Sequence, residues 1–245
     1  NHQRSKNMPF LCFNVEPSSL DLWSTLKTGT HDSIDGTILI LGSLPNGLSK
    51  LSSFGSFLNV KDGDELLNYS STPAMIILSS ASFELVIQIR KEKRFAKVPV
   101  LMVKDHFEDG EIDKIAQLPN LIICNSCLCD SDEFISRLIG IFGGNVILPP
   151  LTGALVKKAI GFLNKKATCQ ISRWQLAEYV NISEDYLTRI FKKDMGLSPW
   201  DYLNRYRVQL ATEMLTQTGA TINEVANATG FQDQAYFCRV FKKIK

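Results

Sequence analysis

No run of this 245-residue sequence is apolar for long enough to cross a bilayer. The strongest candidate, PAMIILSSASFELVIQI (73–89), is interrupted by serines and by Glu84. Histidine is scarce. His2, His31 and His106 stand alone without ligand spacing, which leaves no His-based metal centre and no His-centred catalytic group. The sequence has no G-x-S-x-G, and GSLPNG (42–47) lacks the spacing and the lysine of a phosphate loop. There is no low-complexity tract, which argues against a mainly disordered chain. No cofactor and no enzymatic activity are expected from this inventory. The opening NHQRSKNMPF is no secretory signal and carries no initiator Met, so the chain is expected to be a piece of a longer protein, placed in the cytoplasm.

Cysteine is present but sparse. Six stand at positions 12, 124, 127, 129, 169 and 238. The CNSCLC cluster (124–129) contains a C-x-x-C, yet zinc needs a fourth ligand and usually a second pair. These residues are read as reduced thiols on or after a buried strand.

Apolar residues make up 44% of the chain, enough for a core in two ordinary domains. The net charge of +2 conceals an asymmetry: from Leu151 onward there are 14 Lys and Arg against 8 Asp and Glu, and before it 13 against 17. An excess of positive charge confined to the C-terminal part is compatible with an anionic partner there or with a plain solvated surface.

Periodicity also changes near residue 150. Before it lie short, almost wholly apolar runs: TILIL (37–41), AMIIL (74–78), VPVLMV (98–103) and NLIIC (120–124). Such runs suit strands buried on both faces of a parallel sheet. Helical spacing separates them in DGDELLNYS, in FELVIQIRKEKRF (Phe83, Val86, Ile87 and Arg90 on successive turns) and in DSDEFISRLIGIF (Phe134, Leu138, Ile141 and Phe142). Alternating strand and helix predicts an α/β domain over 35–146 with right-handed crossovers. Residues 1–34 hold a weak strand, PFLCF, and one helix, SSLDLWSTL, as an unplaced extension. GGNVILPPLTG (143–153) is the expected boundary, because paired prolines do not sit inside a helix.

Residues 151–245 read as helices throughout. TGALVKKAIGFLNKK places Leu155, Ala159, Phe162 and Leu163 on one face. Ser172 caps a helix with the stripe Leu176, Ala177 and Val180; Ser183 caps the next, which stops at Gly196. Ser198, Pro199 and Asp201 open a long helix to 217, and Thr221 with Glu224 opens another before Gly230.

Two of these segments repeat. YLTRIFKKD (186–194) and YFCRVFKKI (236–244) align without a gap at a shift of fifty residues. Each is the second helix of a short helix, tight turn, helix unit, 172–195 and 221–244. In the first, Leu187, Ile190 and Phe191 form the apolar stripe, leaving Glu184, Asp185, Thr188, Arg189 and Lys192 outward. In the second, Phe237, Val240 and Phe241 leave Gln234, Ala235, Cys238, Arg239 and Lys242 outward. Arg reads guanine bidentately, Thr and Gln hydrogen-bond base edges, and Lys192, Lys193 and Lys242 suit phosphate. The helix between the units spans roughly 30 Å, close to one turn of B-DNA. Two recognition helices would then enter successive major-groove turns of double-stranded DNA. The competing reading is a basic all-α edge with snorkelling lysines and no DNA role, in a protein-interaction or scaffold module.

On LAEYVNISEDYLTRIFKKDMGLSPWDYLNRYRVQLATEML and INEVANATGFQDQAYFCRVFKK, residues 151–245 resemble the DNA-binding domain of the AraC/XylS family of bacterial transcription regulators. The resemblance implies two helix-turn-helix subdomains joined by one helix. Base-reading positions fall at Asp185, Thr188 and Arg189 in the first and at Gln234, Ala235, Cys238 and Arg239 in the second. RNA polymerase is a further partner expected of such a regulator. Glu184 and Asp185 depart from a phosphate-friendly surface, and the closing helix of the family is missing after Lys245, so a truncated domain is expected. Residues 35–143, through IRKEKRFAKVPVLMVKD and TPAMIILS, resemble the receiver domain of response regulators, a flavodoxin-like doubly wound parallel sheet. Receiver chemistry needs Mg²⁺ on carboxylates, but the corresponding strand ends carry Gly42-Ser43, Ser79-Ser80, Lys104 and Asn125. The expectation is a pseudo-receiver serving dimerisation, as a homodimer, or signal relay. A phospho-responsive regulator is the alternative. Lys104 is read as an exposed strand-end lysine, with the vacated metal position as its other reading.

Overall fold

The apolar runs pair as five parallel strands in one sheet: β1 Thr37–Leu41, β2 Ser56–Val60, β3 Met75–Ser79, β4 Val100–Lys104 and β5 Leu121–Asn125. The structure is a computed structural model and describes residues 36–108, 110–142 and 150–245. The expected extension over 1–34, with PFLCF and SSLDLWSTL, lies outside the described residues, as does most of the 143–153 boundary. Strand order is β2-β1-β3-β4-β5, the flavodoxin-like doubly wound arrangement. The strands β3, β4 and β5 are buried almost end to end, which is why their sequences are apolar without alternation.

The edge strand β2 was not expected. Its SFLNV sequence is largely exposed, so it has neither a buried run nor clean alternation. Crossovers use α1 (Gly63–Leu67), α2 (Phe83–Lys91) and the five-residue α3 (Glu111–Ile115), with 3-10 turns at Asn46–Ser53, Lys93–Phe95 and Ser126–Leu128; α4 (Asp132–Phe142) follows β5. In α2 the buried pair is Val86 and Ile89, not Val86 and Ile87 as the spacing suggested. Arg90, on the stripe the spacing suggested, instead donates its guanidinium to the carbonyls of Phe95, Val98 and Asn120 at 2.8–2.9 Å.

The C-terminal part is all helical: α5 (Pro150–Lys165), α6 (Arg173–Val180), α7 (Glu184–Met195), α8 (Pro199–Gln217), α9 (Ile222–Ala228) and α10 (Gln234–Ile244). Helix α5 begins at Pro150, where a missing N–H costs nothing. It packs on β5 and α3 through Val156, Ala159, Ile160 and Leu163. On the same face the buried Lys157 ammonium donates to the carbonyls of Leu118 (2.7 Å) and Ala116 (3.3 Å), and burial lowers its pKa to about 8. One continuous apolar core runs from the sheet through α5, α6 and α7 to Tyr206 on α8. A second, smaller core joins α8, α9 and α10.

Candidate nucleic-acid interface

Both helix-turn-helix units are built by the same local devices. Ser172 with Gln175, and Thr221 with Glu224, form reciprocal capping boxes that start α6 and α9. Each helix ends in a six-residue bond that closes the turn: Ile182 N to Ala177 O at 3.0 Å, and Phe231 N to Ala226 O at 2.9 Å. A left-handed residue precedes each closure, Asn181 (φ 58°) in the first and Gly230 (φ 87°) in the second. Only the second requires glycine, since a Cβ at 230 would meet Ala167 O at 2.6 Å and the Arg207 guanidinium at 3.0 Å. From the closing bond to the next N-cap the second turn is one residue longer, Phe231 to Asp233 against Ile182 to Ser183.

Helices α7 and α10 present the expected faces. Leu187, Ile190 and Phe191 are buried, while Glu184, Asp185, Arg189, Lys192 and Lys193 are exposed and Thr188 is half-buried. In α10 only Phe237 of the apolar stripe is fully buried; Val240 and Phe241 are half-buried. Gln234, Ala235, Cys238, Arg239 and Lys242 are exposed as expected. The repeat extends to side-chain pairing. Arg189 lies 5.1 Å from the centre of the Tyr186 ring, and Arg239 lies 5.9 Å from that of Tyr236. Each guanidinium thus lies within cation–π range of a tyrosine one turn earlier on its own helix.

Helix α8, 19 residues and about 28 Å long, connects the two helix-turn-helix units. Arg207, buried in its middle, donates to the carbonyls of Ala167 (2.7 Å) and Cys169 (2.8 Å) and anchors α8 to the turn between α5 and α6. Asn204 donates to the Tyr236 hydroxyl at 3.1 Å and anchors α10 to α8. A cleft of about 480 Å³ lies beside the start of α8, lined by Lys192 near the end of α7 and by Tyr236, Arg239, Val240 and Lys243 of α10.

At the carboxyl edge of the sheet, where a doubly wound fold takes its ligands, α8 meets the ends of β4 and β5. The buried Tyr202 hydroxyl bonds Asn125 at the end of β5 and Asn164 on α5. Tyr206 meets His106 Nδ1 at 3.0 Å, and Gln209 donates to Asp105 at 3.4 Å. No local pattern announces these contacts. Lys104 is not the exposed strand-end lysine expected. Its ammonium pairs with the buried Glu111, across the loop that opens α3. Among the described cysteines, Cys124 and Cys129 are buried and free and Cys127 is half-buried. Burial raises the thiol pKa of Cys124 and Cys127, so both remain protonated. Among the described residues no cluster of His, Cys, Asp and Glu could hold a metal, and no helix is long and apolar enough to cross a membrane.

Residues 176–245 match the family described as "Helix-turn-helix domain". Over 88 residues the chain is 31% identical to the lactose operon transcription activator of Staphylococcus xylosus, covering 36% of this chain and 32% of that protein. Regulatory protein PocR of Salmonella typhimurium is 30% identical over 88 residues, covering 36% of this chain and 29% of that protein. The chain thus spans about a third of the length of these curated relatives. Among solved structures, the C-terminal domain of AraT, a response regulator from Geobacillus stearothermophilus, is 31% identical, with 40% of this chain and 79% of that one covered at a TM-score of 0.36.

Proposed function

We propose, from a C-terminal region that is an AraC-type helix-turn-helix domain, that this chain is a sequence-specific DNA-binding transcription regulator of a bacterial cytoplasm. Helices α7 and α10 enter successive major-groove turns of one face of the duplex. Arg189 and Arg239 read base edges, with Asp185, Thr188, Gln234, Ala235 and Cys238 at the neighbouring reading positions. Lys192, Lys193 and Lys242 hold phosphate. The observation that carries this reading is the duplicated Tyr–Arg pair, Tyr186 with Arg189 on α7 and Tyr236 with Arg239 on α10, in which both arginines are exposed.

Residues 35–146 act as a receiver-like relay or dimerisation part and 151–245 as the reading part, with RNA polymerase the downstream partner. The relay does not take a phosphoryl group in the usual way. The strand ends at Gly42-Ser43 and Ser79-Ser80 supply no carboxylate for Mg²⁺, and Lys104 is committed to Glu111. Selection from a random duplex pool with the 245-residue chain tests the reading. Enrichment of a bipartite motif with half-sites about one helical turn apart is expected. Weak binding without enrichment, fading as salt rises, would contradict it and favour a protein-interaction module.

A further inference from the structure

The cleft beside the start of α8 is lined by Asp201, Asn204 and Arg205 of that helix. Four cations line the cleft: Lys192 from α7, Arg205 from α8, and Arg239 and Lys243 from α10. Two carboxylates face them. Asp201 is engaged by its own helix start, accepting from Ser198 Oγ at 2.6 Å. Glu133 comes from α4 of the α/β half, and its Oε2 lies 3.4 Å from Arg205 Nη2. The same oxygen accepts from Ser131 Oγ at 2.7 Å, which fixes the carboxylate at the rim. The neighbouring Asp132 turns away and pairs with Lys50 at 2.7 Å.

A planar, half-buried guanidinium in a cleft lined by three further cations, from α7 and α10, is suited to a phosphodiester. Glu133 now occupies that position on Arg205. We infer that the cleft is a seat for the DNA strand running between the two major-groove contacts, and that Glu133 of the α/β half is a carboxylate stand-in competing with phosphate for Arg205. This rests on the DNA reading above and adds to it a phosphate contact, Arg205 with Lys243, and a point through which the front half regulates affinity. The Ser131 hydrogen bond also holds the Glu133 carboxyl below the usual range, so the competitor is charged at neutral pH.

The competition is modest, because Glu133 is mostly exposed and such pairs are weak. Relieving it is expected to tighten binding about two- to fivefold at low salt. The experiment measures affinity of the full chain for a mixed-sequence duplex and for a selected duplex across a salt series. Glu133→Gln should tighten both by the same factor. Arg205→Gln should weaken both by the same factor and reduce the salt slope by about one, while Arg205→Lys retains most of the affinity. In the Arg205→Gln background Glu133→Gln should add nothing. Asp132→Asn, an equal charge change outside the cleft, should leave affinity nearly unchanged. Normal wild-type binding with no gain in Glu133→Gln, or an equal gain in Asp132→Asn, would overturn the inference and leave the DNA reading standing. Failure of every variant to bind either duplex would overturn both.

Discussion

The two helix-turn-helix units share a sequence pattern, capping boxes and turn closure, yet they stand on different foundations. The first is built into the core of the α/β half: Leu176, Val180, Leu187, Ile190 and Phe191 are continuous with the sheet through α5. The second has a core of its own with Val208, Ala211, Val225, Ala226, Phe231 and Phe237 buried, and with Val240, Phe241 and Ile244 only partly covered. A repeated recognition surface therefore does not imply repeated stability. Small, poorly covered cores open locally at lower free energy than large ones, so α9 and α10 should exchange amide hydrogens ahead of α6 and α7.

The largest expected contrast lies at one repeat position, Phe191 and Phe241. Phe191→Ala empties a fully buried site and should cost about 3–5 kcal/mol. Phe241→Ala, at a half-covered site, should cost less than half as much. Urea unfolding of the two variants measures this, and equal losses would break the comparison.

The turns give the next effect. Gly230→Ala forces a Cβ into Ala167 O at a left-handed φ and should destabilise by about 1–3 kcal/mol. Asn181→Gly, at the matching turn, should change stability by a few tenths of a kcal/mol, because Asn already tolerates that conformation. Thermal melts of both variants separate a required glycine from a permitted asparagine.

The third contrast is chemical. The repeat ends in Asp194 in one copy and Ile244 in the other. Asp194 is buried against the first unit's large core without a hydrogen-bond partner, and burial pushes its pKa up to about 6, opposed by Arg137, Lys193 and Lys157. Against an unfolded value of about 3.9, the folded state holds the proton more tightly. The stability this gives is complete below about pH 4 and is lost as pH rises through about 6. Asp194→Asn should therefore be about 1–2 kcal/mol more stable than the parent at pH 8 and indistinguishable from it at pH 4. A constant difference across that range would remove the titration from the account.

The smallest effect concerns the N-caps. Ser183 accepts from one backbone N–H, Tyr186 at 3.3 Å, whereas Asp233 accepts from two, Ala235 and Tyr236, at 3.1 and 2.9 Å. Alanine at either position should cost about 1 kcal/mol, with Asp233→Ala the larger loss. Denaturation midpoints of the pair check the order.

Much of this was legible in the sequence because the deciding physics is local. TILIL and VLMV are apolar on both faces, and Ser172, Thr221, Ser198 and Gly196 mark helix ends by their own hydrogen bonding or backbone freedom. The outward faces of α7 and α10 followed from 3.6-residue spacing alone. What stayed hidden depends on distant partners. Tyr202 finds Asn125 from 77 residues away, and Tyr206 finds His106 from 100 away, so no window of sequence could place α8 on the sheet edge. Lys104 was misread because Glu111 reaches it across a loop, and β2 because an exposed edge strand need not be apolar. Arg205 was passed over for a related reason: its meaning comes from Glu133 and the cleft, not from its helix.

The most direct test of the two-groove account is the random-duplex selection repeated with Arg189→Ala and Arg239→Ala in the full chain. The account predicts that each variant still enriches a motif, with one half-site blurred and the other intact, and that the blurred half differs between the two. Loss of both half-sites together in either variant, or an unchanged motif in both, would contradict the assignment of one recognition helix to each groove.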